Sequence, residues 1–298
     1  MNRAAVHLQL VGMVVLWGVS WPAGRVLAQS MPAFSGSAWR FSIACAVMLA
    51  WLRLSAGAWP RLSVRQWAGL AAAGAVGVFA YSAFFMLSLQ RVEASRAAVV
   101  VTTNPVFTTL LAAWWFKERF NAWVGLGLAL AVVGAATVMT HGAPWKVLAA
   151  DVGTGEWLLL GCIATWTTYS LMGKRLMAGI DALAATTITA SVGCVLMWVA
   201  ALALEGPAVA VQAIAALSPR DWAALLYMAI GATVLSYAWF NRGIAVLGAG
   251  VASSYISLVP VLGVASSVLM LGEPLEASLL AGGTLALAGV VLANRARR

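Results

Sequence analysis

Few residues in this sequence have the types and spacing for acid–base, nucleophilic or metal chemistry. The only histidines are His7 and His141, both near the ends of apolar runs. Cys45, Cys162 and Cys194 lie inside apolar runs, and no two share C-x-x-C spacing, so neither a disulfide framework nor a metal site is expected. A serine hydrolase needs a base beside its nucleophile, and a metalloenzyme needs clustered histidine and carboxylate ligands. Gly153-Thr154-Gly155 lacks the Gly-Lys-Ser/Thr that completes a phosphate loop. The sequence therefore predicts no enzyme, no cofactor and no metal. The polar chemistry it does hold is aromatic rings, hydroxyls and amides set inside greasy stretches: Trp17, Ser20 and Trp21; Tyr81, Phe84 and Phe85; Thr102, Thr103 and Asn104; Trp166 and Tyr169; Tyr237 and Asn241; Ser253, Ser254, Tyr255 and Ser257. Such groups suit an amphipathic or aromatic small molecule.

The elements that must carry these residues follow from composition. The 298 residues are 63% hydrophobic and 9% charged, with a mean hydropathy of +0.93. A soluble domain carries about 25% charged residues, so the chain is read as a multi-pass α-helical membrane protein. A spanning helix needs about 20 apolar residues. Ten such runs occur, near 5–27, 37–54, 66–88, 97–116, 121–140, 156–173, 182–204, 221–240, 250–271 and 276–294. They are too long for the strands of a barrel and lack its inside–outside alternation. The first run resembles a signal peptide, but its length and Trp17, Trp21 and Pro22 favour a retained helix.

The net charge of +9 fits membrane orientation rather than nucleic acid, because the basic residues fall between apolar runs. With the N-terminus inside, twelve face the cytoplasm: Arg3, Arg53, Arg61, Arg65, Lys117, Arg119, Lys174, Arg175, Arg242, Arg295, Arg297 and Arg298. Six face outward: Arg25, Arg40, Arg91, Arg96, Lys146 and Arg220. The bias predicts that both termini are cytoplasmic.

Shifting the chain by 155 residues aligns 91–139 with 246–294 and matches Pro105 with Pro260, Glu118 with Glu273, Gly127 with Gly282 and Gly134 with Gly289. Tyr81 and Phe84 match Tyr237 and Phe240 at 156; Trp17 and Gly24 match Trp166 and Gly173 at 149. The chain thus divides into a five-helix repeat, 1–141, a linker, 142–155, and a second repeat, 156–298. An odd helix number inverts the second copy, a transporter architecture with its site near the midplane. Pro105 and Pro260 are the expected hinges, freeing the carbonyls of Val101 and Ile256. Freed backbone at that depth is tolerated against protein or a water-filled cavity.

Trp39, Trp51, Trp59, Trp67, Trp123, Trp157 and Trp222 lie near span ends and fit interfacial belts. The expected substrate site is Trp17, Trp21, Tyr81, Phe85, Thr103, Asn104, Trp166, Tyr169, Tyr237, Tyr255 and Ser257. The small-residue fifth and tenth helices are expected to pack closely, with a dimer face possible there, so the chain is a monomer or homodimer in the bilayer. Glu118 and Glu273 read either as exposed turn charges or as caps of the 4/5 and 9/10 hairpins. No Asp or Glu lies mid-span, which argues against a proton relay. A channel-like pore, an intramembrane enzyme and a proton-coupled multidrug exporter are the alternatives.

"LWGVSWPAGR", "ASRAAVVVTTNPVFTTLLAAWWFKERF" and its copy "AGVASSYISLVPVLGVASSVLMLGEPL" resemble the EamA-type family of the drug/metabolite transporter superfamily over essentially the whole chain. The resemblance implies a bacterial inner-membrane exporter of metabolites, often amino acids, including aromatic ones. It also implies a central cavity walled by helices 1, 3, 4, 6, 8 and 9. Lys117 stands where the second half has Gly272, so the two hairpins differ chemically.

Overall fold

The computed structural model describes residues 3–56, 61–104, 106–108, 111, 121–147, 152–176 and 180–296. The described residues are helical with short connections and no strand. Helices α1 (Arg3–Ser30), α2 (Ala33–Ala56) and α3 (Val64–Leu89) are followed by a short α4 (Ala94–Val101) and by α5 (Ala122–Met139). Next come α6 (Thr154–Leu176), α7 (Ala182–Glu205), α8 (Pro219–Leu247), α9 (Ala249–Ile256), α10 (Val259–Leu271) and α11 (Ala277–Arg295). A 3-10 turn, Pro144–Val147, and a short helix, Pro207–Gln212, lie in connections. Seven helical stretches among the described residues are long and apolar enough to cross a membrane; Ser254–Leu271 is one of them, and a shorter apolar helix covers Ala277–Ala293.

Local chemistry sets the ends. Ser63 with Gln66, and Ser218 with Asp221, form capping boxes at the starts of α3 and α8. Asn121 and Asp181 cap α5 and α7 through single side-chain acceptors. In the bundle, α1 packs on α8 and α10, α2 on α7, α3 on α6 and α7, α4 on α10, and α5 on α11.

The α5–α11 contact is made by backbone. A Cβ on Gly127 would lie 2.6 Å from Ala293 N and 2.7 Å from the Gly289 carbonyl, and Gly134 meets Ala286 and Gly282 in the same way. The two small-residue helices are spent on each other within the chain. Their glycine faces are covered by this contact, while Trp123, Leu126, Val132 and Val133 of α5 and Leu280 and Val291 of α11 stay exposed.

Several boundaries differ from those expected. The apolar run 250–271 is two helices: Ser257 N and Leu258 N reach back only three residues, to Ser254 and Tyr255. Pro260 then sits in the first turn of α10, where a missing N–H costs nothing. It starts a helix rather than kinking one. The run 97–116 breaks likewise, Thr102 N and Thr103 N bonding Val99 and Val100. The two breaks, 102–103 and 257–258, are 155 residues apart. Pro105, Lys117 and Glu118 lie outside the described residues. Arg25, Arg40 and Arg96, counted above as outward loop charges, lie inside α1, α2 and α4.

Candidate functional site

Two π-helical stretches set the geometry. Ala75–Ala80 lies in α3 and Tyr227–Leu235 in α8, and Tyr81 follows the first directly and Tyr237 the second by two residues. Each π turn widens the helix, and such turns concentrate at functional sites. In α8 the side chains confirm the longer repeat: Thr233 Oγ1 donates to the Met228 carbonyl (2.8 Å) and Ser236 Oγ to that of Gly231 (2.9 Å), five residues back. The Ala232 carbonyl in this stretch accepts the indole N–H of Trp17 at 3.0 Å, and Tyr227 OH donates to the Leu16 carbonyl at 3.0 Å. These bonds fix α1 against α8.

Around them the rings of four helices converge. Trp21 meets Phe85 (5.3 Å between centroids), Phe85 meets Tyr81 (6.1 Å), Tyr81 meets Trp166 (5.5 Å) and Trp166 meets Tyr169 (5.9 Å). Trp17 meets Tyr237 edge-on at 5.6 Å and Phe240 at 5.5 Å. These separations are those of favourable aromatic pairs. Trp17, Tyr81, Trp166, Tyr169 and Tyr237 are half-buried, whereas Trp21 (6% exposed) and Phe85 (4%) are buried behind them.

Arg40, absent from the expected site, also comes up to this ring set. It stands in α2, about 10 Å beyond the helix start at 1.5 Å per residue. Its Nη2 donates to Thr233 Oγ1 at 3.0 Å, and it lies within electrostatic reach of Tyr81 and Tyr237. Its buried Nε has no acceptor. The signal was present in the sequence, an arginine followed by a long apolar run, but an arginine near a run's start reads equally as a loop charge.

A cleft of about 280 Å³ opens between the end of α2 (Met48, Trp51), the start of α7 (Asp181 to Thr186) and α8, where it reaches inward past Asn241 to Tyr237 and Val234. It lies at the end of the bundle where α1 begins, since Trp239 and Gly243 of α8 contact Gly12 and Leu10. The opposite end is pinned by carboxylates. Glu273 accepts the N–H groups of Ala94 and Ser95, both at 2.8 Å, at the start of α4, with Arg25 Nε 3.7 Å away. Glu205 does the same for Phe34 (2.9 Å) and Ser35 (2.8 Å) at the start of α2. Carboxylates at helix N-termini satisfy orphan N–H groups and complement the helix dipole. Arg96 donates to Glu93 (2.9 Å) and to the Val138 carbonyl (2.8 Å) and pairs with Glu276. The expectation that Glu273 caps its own hairpin is corrected: it caps a helix of the other half.

The remaining expected residues fall elsewhere. Thr103 is fully buried with its hydroxyl on the Val100 carbonyl (2.7 Å), so the side chain is closed to any ligand in this conformation. Asn104 keeps a buried, unpartnered Oδ1 just past the break in α4. Tyr255 stands apart from the ring set, its hydroxyl 2.7 Å from His7 Nδ1 near the start of α1. Ser257 occupies the break between α9 and α10. Pro105 lies outside the described residues, and Pro260 is buried.

A multi-helix membrane bundle with an inner cluster of aromatic rings that meets a cleft at Tyr237 has the build of a small-solute transporter. Consistent with this, the model of the EamA-like transporter family matches twice, over residues 5–140 and 153–295, and the chain belongs to that family. It is similar to the "Probable terminal-alkyne amino-acid exporter" of Streptantibioticus cattleyicolor, 30% identical over 96% of this chain and 92% of that one. It is also similar to the "Probable amino-acid metabolite efflux pump" of Salmonella typhimurium (26%; 98% and 95%) and to the uncharacterized transporter YyaM of Bacillus subtilis (26%; 99% and 95%). A solved crystal structure shares its fold with a TM-score of 0.62 at 21% identity, over 100% of this chain and 99% of that one.

Proposed function

We propose that this chain exports small amino-acid-like metabolites, aromatic ones included, across a bacterial inner membrane. Transport proceeds by alternating access of a central site to the two faces, as a carrier rather than an enzyme or an open pore. The observation that carries the reading is the convergence of Trp17, Tyr81, Trp166, Tyr169 and Tyr237 from α1, α3, α6 and α8, a ring set that meets the cleft at Tyr237. Rings offer apolar faces to a side chain and cation–π faces to an ammonium group. The names carried by two of the relatives point to the same solute class.

In this reading the ten runs form two inverted five-helix repeats, 1–141 and 156–298, joined by 142–155. Both termini are cytoplasmic, so the cleft at the start of α1 faces the cytoplasm and the Glu273 end faces outward. The breaks at 102–103 and 257–258, with Pro105 and Pro260 beside them, are the hinges; Thr103, Asn104, Tyr255 and Ser257 reach the solute when those hinges move. Coupling to an ion is not required, and the protein functions as a monomer or homodimer.

The test is counterflow in proteoliposomes loaded with unlabelled amino acids and free of any ion gradient. Saturable accumulation of labelled phenylalanine, tyrosine or tryptophan is the expected result. Strict dependence on a pH difference would replace the uncoupled mechanism, and non-saturable leak would indicate a pore.

A further inference from the structure

Arg25 and Arg96, the other arginines described as buried or half-buried, each have an anion. Arg25 has Glu273, and Arg96 has Glu93 and Glu276. Arg40 differs. Among the described residues no carboxylate pairs with it; its contacts are the Thr233 hydroxyl, the Phe41 ring at 5.0 Å and the electrostatic neighbourhood of Tyr81 and Tyr237. Its Nε is buried and bonded to nothing. A guanidinium is never deprotonated at working pH, and an uncompensated charge in a low-dielectric bundle is costly enough that it marks function by default. Thr233 takes one Nη2 donor, and the buried Nε is left without an acceptor.

The position fits a ligand. On α2, Trp51 at i+11 falls within about 20° of the Arg40 face at 3.6 residues per turn, and Trp51 and Met48 line the cleft. The cleft's inner end is Tyr237, one of the two tyrosines within Arg40's reach. Arg40 does not line the cleft as it stands; Tyr237 is the residue that links the two, so a solute reaches the cation when the site opens past that ring. A planar fork with a free donor is complementary to a carboxylate.

We infer that Arg40 is the anion receptor of the site: it takes the carboxylate of the transported solute, while Trp17, Tyr81, Trp166 and Tyr237 hold the apolar remainder. The inference rests on the transport reading above and narrows it. The carboxylate is the group the site demands, so the amide or the decarboxylated amine of the same solute is rejected.

The experiment measures binding and leaves flux to the separate counterflow assay, so the two readings fail separately. Purified protein is titrated with L-phenylalanine and with L-phenylalaninamide, which differ only in the carboxylate, and binding is followed by tryptophan fluorescence and by thermal shift. The expected result is that the acid binds about tenfold to a hundredfold more tightly than the amide, the range of one charge-assisted hydrogen-bonded contact. Arg40→Gln abolishes that preference. Arg40→Lys, which keeps the charge without the fork, retains part of it and serves where the glutamine variant fails to fold. Equal affinity of acid and amide for the wild type, absence of binding by either, or an undiminished preference in the variants overturns the inference. If binding behaves as expected but counterflow fails, the receptor stands and the exporter reading falls.

Discussion

Replacing Glu273 by Gln should release the start of α4. The carboxylate is nearly buried (7% exposed) and accepts two backbone N–H groups at 2.8 Å, from Ala94 and Ser95. Glutamine keeps one acceptor oxygen and turns an NH2 toward the second N–H. One charge-assisted bond is lost, worth about 1.5–3 kcal/mol, together with a helix-dipole contribution of about 0.3–1 kcal/mol. A total of about 2–4 kcal/mol shifts the local opening equilibrium by roughly 30- to 700-fold. Hydrogen exchange followed by mass spectrometry on peptides covering residues 90–101 reads this directly. Exchange at the first turn of α4 should accelerate by that factor, while residues 33–38, held by Glu205, stay protected. Glu205→Gln should reverse the pattern. A folded Glu273→Gln protein with unchanged exchange at 90–101 would refute the reasoning, because the cap would then carry no free energy.

Three further outcomes are expected. Gly127→Leu forces a side chain into the Ala293 and Gly289 backbone and should lower stability by about 1–3 kcal/mol, the range for overpacking, read as a lower Tm in detergent. At Gly77 an added Cβ overlaps the Tyr169 ring, so Gly77→Ala should displace that ring and depress solute flux more than it depresses Tm. The bond from Arg96 holds the Glu276 carboxyl below the usual carboxylate range, aided by Ser278 and His141. A lowered folded-state pKa contributes stability present above the unfolded value and lost as pH falls through the lowered one. Acidification below the carboxylate range should therefore destabilise the wild type more than Glu276→Gln, measured by melts across pH.

The sequence displayed its helices through length and apolarity, and its binding candidates through rings too far from the span ends to be interfacial. Trp17, Tyr81, Trp166, Tyr169 and Tyr237 stood out for that reason, and their rings do come into contact with one another. What stayed hidden depends on packing between distant segments. Glu205 and Glu273 cap helices more than 150 residues away in sequence, and no local pattern encodes that. The π stretches before Tyr81 and Tyr237 have no composition of their own; a carbonyl takes the fifth or fourth residue according to what presses on the helix. Arg40 was misread because charge near the start of an apolar run has the same appearance whether it orients the chain or enters the bundle. The small-residue helices announced close packing, and they pack on each other, a pairing that no local pattern names.

The most direct measurement for the central claim is saturable flux through reconstituted protein, wild type against Trp166→Ala and Trp17→Ala, with insertion and Tm monitored in parallel. The account predicts competable uptake of an aromatic amino acid by the wild type and a marked fall in both correctly inserted variants. Wild-type flux in both would remove the aromatic set from the transport path, and the account with it.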